Sequence, residues 1–200
     1  MTASIPQGFG PNTAERLPMP PLETLDAARR AAAQTLIDGP RGAVIGPFIP
    51  LLRSPALMTR LGEVGAALRF ESVLPKAVGE FVMATVARHT GNQFEWLAHA
   101  PQAIAAGVPA AAIEALGQGA RPQGLEAVQA LAYDFATEVL HQHGVCDATY
   151  AAALDCWGEQ GVVELTALIG YFSTVCWVMN VARTPAPAAA GVAPLTALPG

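Results

Sequence analysis

Three ionisable residues interrupt runs that are otherwise apolar: Glu80 in VGEFVMATVA, and Glu95 and His99 in QFEWLAHA. A carboxylate and an imidazole held together away from water make an acid–base device. Burial favours the neutral carboxyl, a neighbouring imidazolium favours the anion, and the pair shares a proton near neutral pH. Glu95 and His99 are i and i+4, so on a helix they share a face and can touch. Glu95 falls in the first turn of its expected helix, where free N–H groups and the helix dipole favour an anion and so support a protonated His99. Glu80 has no such help and is the better proton acceptor. Each residue also has a plain structural role. Asn92-x-x-Glu95 has the form of a capping box with Asn as the cap. Glu80 is placed to pair with Lys76 one turn earlier, and His99 can serve as a hydrogen-bonded core histidine. Two carboxylates and an imidazole can also ligate a divalent ion, which keeps a metal-dependent enzyme as an alternative.

The elements that must position these residues read as helices almost throughout. Val, Ile and aromatic residues never alternate with polar ones over a strand's length, and Ala and Leu are abundant. A first helix is expected over 22–38, stopped by Gly39-Pro40. Residues 41–52, RGAVIGPFIPLL, read as an ordered loop over a core or a site, because a solvated loop would be more polar. Helices follow over 56–68, 75–90, 93–106 and 109–116. After a Gly- and Pro-containing linker over 117–124 come helices over 125–143, 147–158 and 160–183. Gly91 suits a left-handed helix end and Asn92 the N-cap of the next helix, so Glu80 and His99 lie on an antiparallel pair. Glu80 is twelve residues before Asn92 and His99 seven after it, so spacing alone does not force them together.

The bulk properties narrow the classes. The chain has 200 residues, 52% of them hydrophobic and 14% charged, with a net charge of -5. One domain of ordinary size fits that length. An acidic chain without a basic cluster is a poor nucleic-acid binder, and so apolar a chain often hides surface in an oligomer interface. The apolar stretch 162–182 is long enough to span a bilayer, but among other apolar helices it reads as a core helix. The N-terminus lacks the pattern of a secretory signal. Cys146, Cys156 and Cys176 show no metal or disulfide spacing, so reduced thiols in a cytoplasmic protein are expected. Residues 1–20 and 184–200, rich in Pro, Gly and small residues, are expected to be extended or disordered around a domain over 21–183.

These residues resemble a known family. The carboxymuconolactone decarboxylase and alkylhydroperoxidase-D-like superfamily carries Glu, eleven residues, Cys, two residues, Cys, three residues, His. Glu80, Asn92, Glu95 and His99 stand at that spacing, with Asn and Glu in place of both cysteines. The segment EFVMATVARHTGNQFEWLAHAPQAIAAGVPAAAIEAL resembles the family's central region. HGVCDATYAAALDCWGEQGVVELTALIGYFSTVCWVMNV resembles the C-terminal half of its single-chain decarboxylase-like members, so the likeness covers about residues 40–183. With no cysteine pair at the motif no thiolate can form there, and thiol peroxidase chemistry through it is excluded. The resemblance implies an all-α compact bundle of about seven to eight helices and a homotrimer or homohexamer. It further implies a cofactor-free lyase, isomerase or hydrolase acting on a small carboxylated or lactone-like compound. Glu80, Glu95 and His99 would be catalytic. Asn92 would be a hydrogen-bond donor, and Trp96, Phe48 and Arg41 would contact substrate, Arg41 through a carboxylate. A non-catalytic oligomeric binding protein is the third alternative.

Overall fold

The computed structural model describes residues 14–186, 188 and 191–196. Among them are eight α-helices and no strand: α1 (Ala27–Asp38), α2 (Phe48–Leu51), α3 (Pro55–Ala66), α4 (Lys76–Thr90), α5 (Gln93–Ala105), α6 (Ala110–Gly117), α7 (Ala127–Gln142) and α8 (Asp147–Ala182). The fold is all-α, a bundle built around α4. That helix is apolar on every side, so it can be stable only when surrounded, and every residue from Glu80 to Arg88 is buried. One side of it packs Val78, Val82, Met83 and Val86 against Phe135 of α7 and Leu165, Ile169 and Phe172 of α8. The other packs Phe81, Ala84 and Ala87 against Trp96 and Ala100 of α5 and Ile113 and Leu116 of α6. A third cluster, with Leu36, Phe48, Leu51, Leu52 and Met58, joins α1, α2 and α3.

The turn between α4 and α5 follows the sequence closely. Gly91 is left-handed (φ 63°, ψ 28°), a conformation that costs glycine little. Asn92 caps α5 by accepting from the Glu95 N–H at 2.9 Å. The box is only half formed, because Glu95 turns its carboxylate to His99 instead of back to the Asn92 backbone. Glu80 likewise turns to His99 rather than to Lys76.

Several boundaries differ from the sequence reading. The first helix begins at Ala27 because Asp26 accepts from the Arg29 N–H at 2.8 Å, a stronger start than Leu22 offers, and Leu22–Thr24 forms only a 3-10 turn. The 41–52 loop contains the one-turn helix α2. α3 runs on into a wider π-helical turn, Ala67–Glu71. The last two expected helices form one element, broken at Gly158 (φ 67°, ψ 178°), a conformation open essentially to glycine alone. By length and hydropathy α8 could cross a membrane, but 56% of its most apolar window is buried in the fold, so it is read as a core helix.

The 184–200 tail, expected to be extended or disordered, is held by side chains where it is described. Trp96 Nε1 donates to Ala193 O at 2.8 Å, Gln93 Nε2 to Leu195 O at 2.7 Å and Arg88 to Thr196 O at 3.0 Å. Backbone groups that meet side-chain partners can order without regular structure, and Leu195 and Ala186 are buried in the α5–α6 cluster. Most of the 1–20 arm lies outside the described residues. Its described end is tied down by Arg16, whose N–H donates to Ala182 O at 2.8 Å.

Candidate functional site

His99 sits on the inward face of α5 with a carboxylate on each ring nitrogen. Nδ1 is 2.7 Å from Glu80 Oε2, and Nε2 is 3.0 Å from Glu95 Oε2. The three side chains are nearly closed to solvent, at 5% exposure for His99, 10% for Glu80 and 6% for Glu95. A neutral imidazole has one N–H, so it can satisfy both contacts only if one carboxyl carries a proton, whereas an imidazolium donates to both. Burial pushes the His99 pKa down, but the hydrogen bonds and negative charges of Glu80 and Glu95 outweigh burial and raise it. A protonated His99 therefore donates to both carboxylates. Phe172 fixes the ring edge-on at 5.1 Å between centroids.

Each carboxylate uses one oxygen on His99. Neither Oε1 accepts a hydrogen bond among the described residues, and neither is a buried atom without a partner, so both stay accessible. They open to a cavity of about 770 Å³ whose wall includes Glu80, Glu95, His99, Met83, Phe94 and Phe172. Its other wall comes from the 41–52 loop and the π-helical turn, which bring Arg41, Phe48 and Arg69, with Lys76 at the start of α4. Three cations thus line the same cavity as the two carboxylates. The Arg41 guanidinium lies 4.8 Å over the Phe48 ring and donates to Gly62 O at 3.1 Å. Burial lowers its pKa, while the Tyr171 hydroxyl and Glu95 act in the opposite direction.

Five of the seven sequence candidates therefore line one cavity. Asn92 and Trp96 do not. Asn92 is fully buried, and its Nδ2 donates to Asn180 Oδ1 at 2.9 Å and Cys176 O at 3.2 Å, so it has no donor left for a ligand. It is a bolt between α5 and α8. Trp96, one residue beyond Glu95, is rotated by about 100° and packs into the α5–α6 core with its N–H on the tail. Sequence reasoning missed Arg69, Lys76 and Tyr171 as wall residues. A single tyrosine in an apolar helix and a loop arginine give no spacing signal.

Cys176 does not line the cavity. It is buried beside the Asn92 cap, and burial, with the Glu95 charge, pushes its thiol pKa well above the ordinary value. Cys146 and Cys156 are exposed.

No family model matches the chain, and no curated protein does. Among solved structures the chain is similar to an uncharacterized peroxidase-related protein from Ralstonia eutropha JMP134, described as an alkylhydroperoxidase AhpD core. The TM-score is 0.70 at 18% identity, over 87% of this chain and 92% of that one. The chain accordingly has the AhpD-like fold. At that identity the likeness speaks of architecture, and function must be argued from the site.

Proposed function

We propose that the protein is a cofactor-free acid–base enzyme of the decarboxylase-like branch, acting as a decarboxylase, isomerase or hydrolase on a small carboxylated or lactone-like organic compound. The observation that carries this reading is the buried imidazole held at 2.7 and 3.0 Å between two carboxylates that open on a cation-lined cavity. Glu80 Oε1 takes a proton from a carbon next to a carbonyl, and the C–H electron pair moves through carbon to the carbonyl oxygen as an enolate. The His99 proton shared with Glu80 and Glu95 spreads the resulting charge change over three groups. Returning the proton to another carbon isomerises the substrate. Loss of CO2 instead leaves the electron pair on carbon, which the triplet then protonates. Arg41, Arg69 and Lys76 favour an anionic substrate in the same cavity.

The metal-dependent alternative is less well supported, because a histidine ligand needs a free nitrogen lone pair and both His99 nitrogens already face carboxylates. The thiols do not support peroxide chemistry either, since no cysteine occupies the motif and burial holds Cys176 protonated. The reading includes a cytoplasmic homotrimer or homohexamer. The exposed residues of α8 over 163–181 are uncharged and include Val163, Trp177 and Val181, which supports self-association.

The test is a panel of β-keto acids and carboxylated unsaturated lactones in D2O, followed by NMR. Protein-dependent deuterium uptake at carbon, or turnover, of at least one member is expected. Tight binding of panel members without exchange or turnover would establish the non-catalytic binding protein instead.

A further inference from the structure

Tyr171 of α8 stands on the cavity wall with its ring packed edge-on against Phe172, the residue that fixes His99. It is 8% exposed. Its hydroxyl oxygen lies beside the Arg41 guanidinium in a notch over Gly65 of α3. A Cβ added at Gly65 would come 2.2 Å from the Tyr171 hydroxyl oxygen and 2.8 Å from an Arg41 terminal nitrogen. The notch therefore exists only because residue 65 has no side chain.

The hydrogen bonds leave one proton unaccounted for. A guanidinium can only donate, so the neighbouring Arg41 cannot take the Tyr171 hydrogen. Among the described residues none accepts that hydrogen. The other hydroxyl on the cavity wall is spent, since Ser72 donates to Glu164 at 2.6 Å. Burial, which outweighs Arg41, raises the Tyr171 pKa, as does the Glu95 charge, so the group is a neutral O–H at working pH. A neutral O–H on the wall of a cavity, beside a cation, can stabilise an oxygen on which negative charge develops.

We propose that Tyr171, backed by Arg41 in the Gly65 notch, is the oxyanion-binding residue of the site, donating its hydroxyl hydrogen bond to the enolate oxygen formed when Glu80 takes a carbon-bound proton. The assignment rests on the acid–base reading for its chemistry, but the subsite itself is a pocket for a planar oxyanion. The balance is simple: the proton goes to Glu80, the C–H electron pair becomes the C=C bond, and the carbonyl π pair rests on the oxygen facing Tyr171. The Tyr171 proton stays on its own oxygen.

Oxalate, a planar dianion with the oxygen arrangement of an enolised keto acid, is the probe. Its binding to the full-length protein is followed by calorimetry and by the near-ultraviolet absorbance of tyrosine. The wild-type protein binds saturably with a tyrosine difference spectrum. Tyr171→Phe keeps the ring and its packing but weakens binding about ten- to one-hundred-fold, the effect of losing a hydrogen bond to a charged group. Arg41→Lys keeps the charge, loses the fork and falls between the two. Gly65→Ala, a better helix former, displaces the hydroxyl and reproduces the Tyr171→Phe defect without loss of folding. Absence of saturable oxalate binding, or wild-type binding in both Tyr171→Phe and Gly65→Ala, overturns the assignment. If oxalate binds through Tyr171 while no panel compound exchanges or turns over, the acid–base reading fails and the oxyanion subsite stands.

Discussion

Glu80 Oε2 lies 2.7 Å from His99 Nδ1, across the pair of helices joined at Gly91, with both side chains at or below 10% exposure. Glu95 meets the opposite nitrogen of the same ring at 3.0 Å. A buried histidine between two carboxylates is costly to desolvate and gives little net stability. Under the proposed function its worth lies in holding a proton beside the cavity.

The pH dependence of stability follows from that arrangement. The folded His99 pKa lies above its ordinary value of 6.5, because the bonds and charges of Glu80 and Glu95 overcome burial. The stabilisation is therefore fully present below the ordinary value and is lost as pH rises through the folded value. Thermal melts of wild type and His99→Gln from about pH 6 to about pH 9 should show the wild-type advantage shrinking on the alkaline side. A difference that does not change with pH contradicts the raised pKa.

Asn92 is predicted to be structural. Asn92→Ala removes the α5 cap and both bonds to α8, at a cost of about 2–4 kcal/mol in chemical denaturation. Asn92→Asp distinguishes a cap from a bolt: it keeps the cap but turns a carboxylate toward Cys176 O and Asn180 Oδ1, two groups that had accepted its N–H bonds. It should not restore stability. Full recovery by Asp would reduce Asn92 to a simple cap.

The thiols should divide by burial. Cys146 and Cys156 are exposed and Cys176 is buried with a raised pKa. Alkylation of native protein followed by mass spectrometry should label the first two and spare the third until the fold is unfolded. Rapid labelling of Cys176 in the native state would contradict its placement.

Self-association should run through α8. Val163, Trp177 and Val181 are 66%, 59% and 65% exposed, and Gly170 and Thr174 lie exposed between them at helical spacing. Light scattering should find an oligomer for wild type and a smaller species for Trp177→Glu. A wild-type monomer at micromolar concentration rejects this interface.

Local relationships were readable from the sequence and long-range ones were not. The Glu95–His99 contact follows from four-residue spacing on any helix, and the Gly91-Asn92 turn from residues with strong conformational preferences. The Glu80–His99 contact depends on how α4 and α5 cross, which their apolar surfaces decide together and neither reveals alone. Trp96 was misplaced because adjacent helical residues diverge by about 100°, so a neighbour of Glu95 need not share its cavity. Tyr171 and Arg41 meet only because Gly65 of a third element leaves room. The tail's contacts were not legible because they come from Gln93, Trp96 and Arg88 on helices it meets only in the folded state.

The most direct test of the central claim is the rate of carbon-bound deuterium exchange or turnover, on the most responsive compound of the panel, in Glu80→Gln and His99→Asn. Glu80→Gln is nearly isosteric and His99→Asn keeps a donor near the Nδ1 position, and each removes a titrating group. Each should lower the rate by about one-hundred-fold or more with the melting profile still cooperative. Wild-type rates in both variants would contradict the account.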